Sequence, residues 1–238
     1  MTVLVVTPTY NERHNLERFV GGVHAVMPEA SVLVVDDASP DGTGRLADEL
    51  AARDPRVGVM HRSGKLGLGT AYLAAFGHAI RHGFDNVVQM DADLSHDPRY
   101  LRPMLDAIES GADLVLGSRN VEGGGVRGWG VGRHVLSKGG SLYSRAILGV
   151  PIRDLTTGYK AWRVPVLAAL DLGTVRSEGY SFQIEMTYRA IRRGFHVQEV
   201  PIVFVDRFAG QSKMSRRIFF EAVSMVWKLR IDAALGRI

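Results

Sequence analysis

Val32-Leu33-Val34-Val35-Asp36-Asp37 and Val87-Val88-Gln89-Met90-Asp91-Ala92-Asp93 decide how this chain reads. Each is a valine-rich run of strand length that closes in two carboxylates. Short continuous apolar runs fit strands covered on both faces, as in a parallel sheet. Val3 to Val6, Val57 to Met60 and Leu114 to Leu116 have the same texture, with helix-like stretches between them. The pattern predicts an α/β domain with a mostly parallel central sheet and flanking helices. Two buried strands that both end in carboxylates point to one shared site at the carboxyl edge, where open α/β sheets bind ligands.

The spacing predicts a first helix over about Asn15 to Val26, stopped by Met27-Pro28 because proline cannot continue the hydrogen-bond ladder. A second runs from Thr70 to His82 and stops at Gly83. A third takes Pro98 as its first helical residue and Asp97 as its cap, ending at Gly111. Beyond Arg119 glycine dominates Glu122 to Gly132, which reads as a mobile loop. Leu136 to Leu148 is helical in spacing, Asp154 to Tyr159 reads as a turn leading back to the site, and Gly179 to Gly194 as a helix. Val197 to Val205 reads as a strand interrupted by Pro201, which suits an edge or a bulge. The expected organisation is one domain over 1–215 and a C-terminal amphipathic helix over 216–238. In that helix Ile218, Phe219, Ala222, Val223, Met225, Val226, Trp227 and Leu229 form an apolar face beside Arg216, Arg217, Lys228 and Arg230. Such a face either packs on the core or lies at a membrane interface with Trp227 at headgroup depth.

With 238 residues, 46% hydrophobic and 23% charged, the chain has the makings of one sizeable core. A formal charge of +4, from 29 Lys and Arg against 25 Asp and Glu, is too small to argue for nucleic acid. Basic residues gather late, at Arg127, Arg133, Lys138 and Arg145 and again at Arg207, Lys213, Arg216 and Arg217. That asymmetry points to an anionic ligand or surface. The absence of cysteine excludes disulfides and thiolate metal sites. With a strand pattern from Thr2, no signal peptide is expected. Nowhere do roughly 20 apolar residues run together, so any membrane contact is expected to be peripheral.

Asp91-Ala92-Asp93 carries the sharpest chemistry. At a strand end that has begun to turn, one carboxylate can face a sugar or ribose hydroxyl and the other a metal. Magnesium often takes only one or two carboxylates and completes its shell with substrate phosphates and water, so Asp93 with a diphosphate suffices. The same two residues also serve as solvated loop aspartates before the helix at Pro98. In Pro8-Thr9-Tyr10-Asn11-Glu12, Tyr10 can stack on a base and Glu12 accept its donors; the pentapeptide is equally a turn and helix start. Ser39-Pro40-Asp41-Gly42 enforces a turn that does not need Asp36 and Asp37 before it. Gly64-Lys65-Leu66-Gly67-Leu68-Gly69 has neither the dinucleotide-binding nor the P-loop spacing.

Together these motifs resemble glycosyltransferase family 2, of the polyprenol-phosphate (dolichol-phosphate) mannose synthase type. They are Pro-Thr-Tyr-Asn-Glu at 8–12, Val-Asp-Asp-Ala-Ser-Pro-Asp-Gly-Thr at 35–43 and Asp-Ala-Asp-Leu-Ser-His at 91–96. Gly117-Ser118-Arg119, Gly128-Trp129 with Arg133 and Ser137, Asp154 to Gly158 and Gly179 to Gln183 follow in family order. Glu199 to Ile202 and Asp206-Arg207 with Gly210 to Lys213 complete the set. The resemblance implies a GT-A fold, a GDP-mannose donor, Mg2+ or Mn2+, and a polyprenyl or dolichyl monophosphate acceptor. It also implies a place at the cytoplasmic face of a membrane, reached directly or through a separate membrane protein. Residue by residue, Pro8, Tyr10, Glu12, Val35 and Asp37 line the nucleoside pocket, with Asp91 and Ala92 nearby. Asp93 coordinates the metal, and Ser95, where some members carry Gln, reaches it through water. Arg119, Arg207 and Lys213 bind the donor's phosphates or sugar and with Asp93 form the catalytic set; Arg133 and Ser137 receive the acceptor phosphate.

No histidine or glutamate stands out as a general base, and a phosphate acceptor needs none. Its second pKa is about 6, so it is already an anion at neutral pH. Direct attack on an α-linked donor inverts the anomeric carbon and yields a β-linked product. Glu185 is the residual base candidate, with core hydrogen bonding the alternative. Two further readings stay open: the same chemistry with UDP-glucose as donor, and a nucleotide-binding module without catalysis.

Overall fold

The computed structural model describes residues 1–128, 130–205 and 216–238, with backbone only for 131, 133–136 and 216–223. Its strands are β1 (Val3–Thr9), β2 (Ser31–Asp36), β3 (Val57–His61), β4 (Asn86–Gln89), β5 (Leu114–Ser118), β6 (Gly125–Arg127), β7 (Lys160–Arg163), β8 (Val197–Pro201) and β9 (Val203–Val205). A seven-stranded sheet runs in the order β3-β2-β1-β4-β7-β5-β8, and β6 pairs with β9 in a second small sheet. All pairings in the large sheet are parallel except those of β7, which runs antiparallel between β4 and β5. The mostly parallel sheet is as expected.

The two carboxylate-bearing strands are not neighbours. β1 lies between them, with Thr9 opposite Asp36 on one side and Val6 opposite Gln89 on the other. After β1 the chain builds outward through β2 and β3, then crosses back to place β4 on the far side of β1. β1 and β4 therefore flank the switch point, where ligands of open sheets bind at the carboxyl edge.

The helices are α1 (Arg13–Val26), α2 (Thr43–Arg53), α3 (Leu68–Arg81), α4 (Leu101–Glu109), α5 (Val131–Leu148), α6 (Val164–Ala169), α7 (Gly179–Arg192) and α8 (Arg216–Ala234). Asp97 caps as expected, its Oδ1 accepting from Arg99 N at 3.0 Å, although the turn it starts is 3-10 before α4 takes over. Helix α2 and strand β7 carry no assignment from the sequence. The glycine-rich stretch is more ordered than a mobile loop: Gly125–Arg127 pairs with Val203–Val205, and α5 starts at Val131 rather than Leu136. Pro201 closes β8 at the sheet edge, after which the chain enters the second sheet as β9.

Apolar side chains fill both faces of the large sheet. Val6, Val35, Tyr72, Phe76, Trp162 and Phe182 lie in one core, and Val5, Val34, Phe19, Met104 and Val115 in the other. Helix α8 packs into the first core through Val226, Leu229 and Ala233. A different stripe of the same helix stays outside, with Trp227, Ile231 and Leu235 exposed at 50, 54 and 58%. These residues recur every four positions, which aligns them on one face. One face of the helix thus packs on the core as expected, and a second apolar stripe is exposed.

Lys160 is fully buried in β7, and its Nζ donates to Gln183 O at 2.6 Å and Thr187 Oγ1 at 2.8 Å. Burial pushes its pKa well down, with the charge of Asp154 opposing. The unfolded chain therefore binds a proton that the native protein has released, between that lowered value and the unfolded value of about 10.4. Across this window stability rises with pH. Denaturant unfolding at a series of alkaline pH values is expected to show the wild type gaining on Lys160→Met as pH approaches about 10. Parallel stability curves would contradict the burial argument.

Candidate active site

Three sharp turns build the site. Asn11, Ala38 and Leu94 have φ of 64°, 54° and 63°, the non-glycine positive values among the described residues. Each follows a site candidate directly: Tyr10, Asp37 and Asp93. Left-handed backbone at a non-glycine residue costs roughly 1–3 kcal/mol, and such strain clusters where side chains must be aimed. Here all three instances sit just beyond β1, β2 and β4.

Asp36 and Asp37 divide their labour. Asp36 is buried, accepting from Thr9 Oγ1 at 2.9 Å, Ser39 N at 3.0 Å and Ser39 Oγ at 2.6 Å. It holds the turn. Asp37 pairs with Arg62 at 2.7 Å and accepts from Leu66 N at 3.1 Å and Gly67 N at 3.2 Å. It thereby anchors the glycine-rich loop before α3, which carries Lys65 to 4.0 Å above the Tyr10 ring. Glu12 accepts from Asn15 Nδ2 at 2.9 Å, and its N–H donates to Thr43 Oγ1 at 3.0 Å. Pro8 and Tyr10 are half-buried beside them, whereas the Val35 side chain is wholly in the core.

At the end of β4, Asp93 is buried and its Oδ1 accepts from Ser95 N at 3.1 Å and Ser95 Oγ at 2.6 Å. Ser95 thus orients Asp93. Ala92 is buried, while the Asp91 side chain is 35% exposed. The Asp91 N–H donates to His96 Nδ1 at 3.0 Å, which leaves the His96 proton on Nε2, 4.0 Å from Asp91 Oδ2. His96 is buried between Tyr159 and Phe204, with the ring stacked 4.9 Å from Tyr159. Its Nδ1 is thus taken up as an acceptor by the Asp91 backbone. Beneath, Tyr72 is fully buried; burial first, then the charges of Asp91 and Asp93, push its phenol pKa well above the ordinary range. Among the described residues no group of three or more His, Cys, Asp or Glu could hold a metal. The donor set around Asp93 suits a hard cation that takes further oxygens from a diphosphate and water.

Arg119, just past β5, forms a buried fork with Asp154: Nε to Oδ2 at 2.7 Å and Nη2 to Oδ1 at 2.6 Å. Burial opposes the charge on both groups, but each holds the other ionised, so the Asp154 carboxyl lies below its usual range. Arg119 Nη2 also donates to Thr156 Oγ1 at 3.0 Å, and Thr156 Oγ1 lies 3.4 Å from Ser141 Oγ on α5. Glu199 of β8 accepts from Arg153 N at 2.8 Å and Asp154 N at 2.9 Å, fastening the whole turn to the sheet.

Glu185 accepts from Ser177 Oγ and from Arg189 Nε at 2.8 Å, which is the core hydrogen bonding expected as the alternative to a base. Ser137 is half-buried on α5. Arg207 and Lys213 lie outside the described residues, as does the Arg133 side chain. The structure adds Arg62, Lys65, His96, Asp154 and Gln183, to which the sequence assigned no role. Motif membership marked His96, Asp154 and Gln183; nothing in the spacing marked Arg62 or Lys65.

Residues 4–170 match the family described as "Glycosyl transferase family 2". The chain is 55% identical to the polyprenol monophosphomannose synthase of Mycolicibacterium smegmatis, over 98% of this chain and 90% of that protein. It is 50% identical to the undecaprenyl-phosphate mannosyltransferase of Micrococcus luteus, over 98% of this chain and 96% of that one. Among solved structures, glucosyl-3-phosphoglycerate synthase from Mycobacterium tuberculosis, crystallised with Mn2+, UDP-glucose and phosphoglyceric acid, aligns with a TM-score of 0.66 at 20% identity, covering 96% of this chain and 79% of that one. A mannosyltransferase from Pyrobaculum calidifontis in complex with GDP-Man and Mn2+ aligns with a TM-score of 0.57 at 16% identity, covering 98% and 74%. At these identities the two structures show the shared fold, a GT-A-type α/β domain. Its carboxylate-lined switch point and the extent of the sequence matches lead to one assignment: the chain belongs to glycosyl transferase family 2.

Proposed function

We propose that the enzyme transfers mannose from GDP-mannose to a polyprenyl monophosphate, inverting the anomeric carbon to give a β-linked lipid phosphate mannose. The observation that carries this reading is 55% identity, over nearly the whole chain, to a relative named for that product class. The site supplies the chemistry. Tyr10, Asp37 and Glu12 receive the nucleoside, and Asp93, oriented by Ser95, would hold Mg2+ or Mn2+. Such a cation, when bound, stabilises the charge that grows on the departing nucleoside diphosphate. Arg207 and Lys213 are assigned to the same leaving group, and Arg133 with Ser137 to the acceptor phosphate. Arg119, tied to Asp154 and Thr156, bridges the donor side of the site to α5.

No general base is needed, since the acceptor phosphate is ionised at neutral pH. The two candidates near the site are otherwise engaged: His96 Nδ1 accepts from the Asp91 backbone N–H, and Glu185 pairs with Arg189. The test is a donor-by-acceptor matrix with Mn2+ or Mg2+, crossing GDP-mannose and UDP-glucose with polyprenyl phosphates of several lengths. Mannosyl lipid formed from GDP-mannose and lost on chelation is expected; turnover with UDP-glucose alone would transfer the reading to a glucosyltransferase. Absence of turnover in every cell, with nucleotide still bound, would leave the non-catalytic module.

Among the described residues no helix is long and apolar enough to cross a membrane. The proposed contact is peripheral, at the cytoplasmic face, through the exposed stripe of Trp227 and Ile231 on α8 and Leu235 just past its end. Lys228 and Arg230 are exposed on the same helix and suit anionic headgroups. Sedimentation with anionic liposomes is expected to recover the wild type and to lose about ten-fold or more in affinity when all three apolar residues become serine, because each large side chain withdrawn from lipid forfeits transfer free energy. Unchanged partitioning would assign anchoring to a separate membrane protein.

A further inference from the structure

Gly158 marks a point on which three polar side chains converge. A Cβ placed there would lie 3.5 Å from His96 Cε1, 3.7 Å from Gln183 Nε2 and 3.9 Å from Asp91 Oδ2. His96 and Asp91 already belong to the site. Gln183, in the first turns of α7, brings a carboxamide to the same place from the opposite layer.

Two observations set Gln183 apart from an ordinary helix glutamine. It is only 3% exposed, and its Oε1 is buried without a hydrogen-bond partner among the described residues. A buried acceptor left unmatched destabilises a fold, and persists where a ligand or water supplies the partner. Its backbone, by contrast, is held firmly: Gln183 O accepts from Lys160 Nζ at 2.6 Å and from Thr187 Oγ1 at 3.0 Å. The neighbouring Phe182 stacks on Tyr72, with ring centroids 6.0 Å apart. The carboxamide is therefore presented from a rigid support, as a selective contact requires.

We infer that Gln183 is a specificity-determining residue that, with Asp91, hydrogen-bonds the hydroxyls of the donor's hexose. Each hexose hydroxyl both donates and accepts. Asp91 offers acceptors only, whereas an amide offers both, and a half-turn about its last bond exchanges them. The pair can thus recognise a hydroxyl by its orientation. A neutral amide also meets a sugar beside Asp91 and Asp93 without adding a third negative charge. The inference rests on the proposed function for the identity of the donor.

The experiment compares wild type with Gln183→Leu, close in volume but apolar, and with Gln183→Glu. It measures melting temperature, affinity for GDP with Mn2+, and kcat/KM with GDP-mannose and its singly deoxygenated analogues. The expected result is unchanged GDP affinity with kcat/KM for GDP-mannose down about ten-fold, the scale of one lost hydrogen bond. One deoxy donor is further expected to be about ten-fold poorer for wild type yet equal to GDP-mannose for Gln183→Leu, because its missing hydroxyl no longer has a partner to lose. Wild-type kcat/KM in the variant, parallel loss of GDP and GDP-mannose, or wild-type discrimination among the deoxy donors would each overturn the inference. Should Gln183→Leu fail to fold, Gln183→Glu decides: it keeps the size, removes the donor and adds a charge beside Asp91 and Asp93, so kcat/KM for GDP-mannose down about ten-fold at unchanged GDP affinity is expected, and wild-type kcat/KM would overturn the inference. A wild type active only with UDP-glucose refutes the donor assignment instead, and the same variants on deoxygenated UDP-glucose then decide the role of Gln183.

Discussion

Asp93→Asn is expected to lower kcat/KM about a thousand-fold, about 4 kcal/mol of transition-state stabilisation, while leaving the fold intact. The substitution is nearly isosteric. An asparagine Oδ1 can still accept from Ser95 N and Ser95 Oγ, so the turn at Leu94 keeps its support. What disappears is the negative charge proposed to hold a divalent cation against the departing diphosphate. Calorimetric titration separates the two roles: GDP with Mn2+ is expected to bind much more weakly to the variant, and GDP without metal about equally. A variant with wild-type turnover would remove Asp93 from the centre of the reaction.

Asp154→Ala is expected to cost about 3–5 kcal/mol of stability, because it leaves the buried Arg119 guanidinium without its counter-charge. For a chain of this length that corresponds to a drop of roughly 10 °C in melting temperature. The sign with pH follows from the lowered Asp154 pKa. The pair's stabilisation is present above the unfolded carboxylate value of about 3.9 and fades as pH falls through the lower native value. Thermal melts between pH 7 and pH 2 test this, the difference between wild type and variant shrinking only at the acid end. The double variant Arg119→Met with Asp154→Leu is expected to recover stability, since apolar replacements of a buried pair are often neutral. It is expected not to recover turnover, because Arg119 also links Thr156 and α5.

The parallel sheet and its carboxylate edge were readable because each depends on a local signal. Val32 to Val35 and Val87 to Met90 are too apolar for anything but covered strands, and the aspartates that follow have no place inside one. The order of those strands was not readable. Two motifs that look like neighbours sit on either side of β1, because strand order depends on long-range pairing that no window of sequence contains. Strand β7 escaped for a different reason: Lys160 and Arg163 bracket it, and only tertiary burial with Gln183 and Thr187 makes a lysine acceptable there. The second sheet escaped because Gly125–Arg127 is short and glycine-led, and its order comes from Val203–Val205, some eighty residues away.

The site shows the same division. Asp37, Asp91 and Asp93 announce themselves by type and position. The roles of Asp36, Ser95 and His96 are orientational and emerge only from distances: Asp36 spends both oxygens on Thr9 and Ser39 to hold its turn, and Asp37 is tied to Arg62 and the loop at Leu66 and Gly67. Likewise Glu185 is a plausible base by residue type and an ion-paired core residue by geometry. Sequence identifies which groups carry charge; packing decides which of them meet a substrate.

Direct attack by an acceptor phosphate oxygen on the anomeric carbon is read from the anomeric configuration of the product. Purified enzyme, GDP-mannose, Mn2+ and a polyprenyl monophosphate are combined, and the one-bond carbon–hydrogen coupling at C1 of the purified lipid sugar is measured by NMR. A β-linked mannosyl phosphate is expected. An α-linked product would require a covalent intermediate or a different attacking group, and would contradict it.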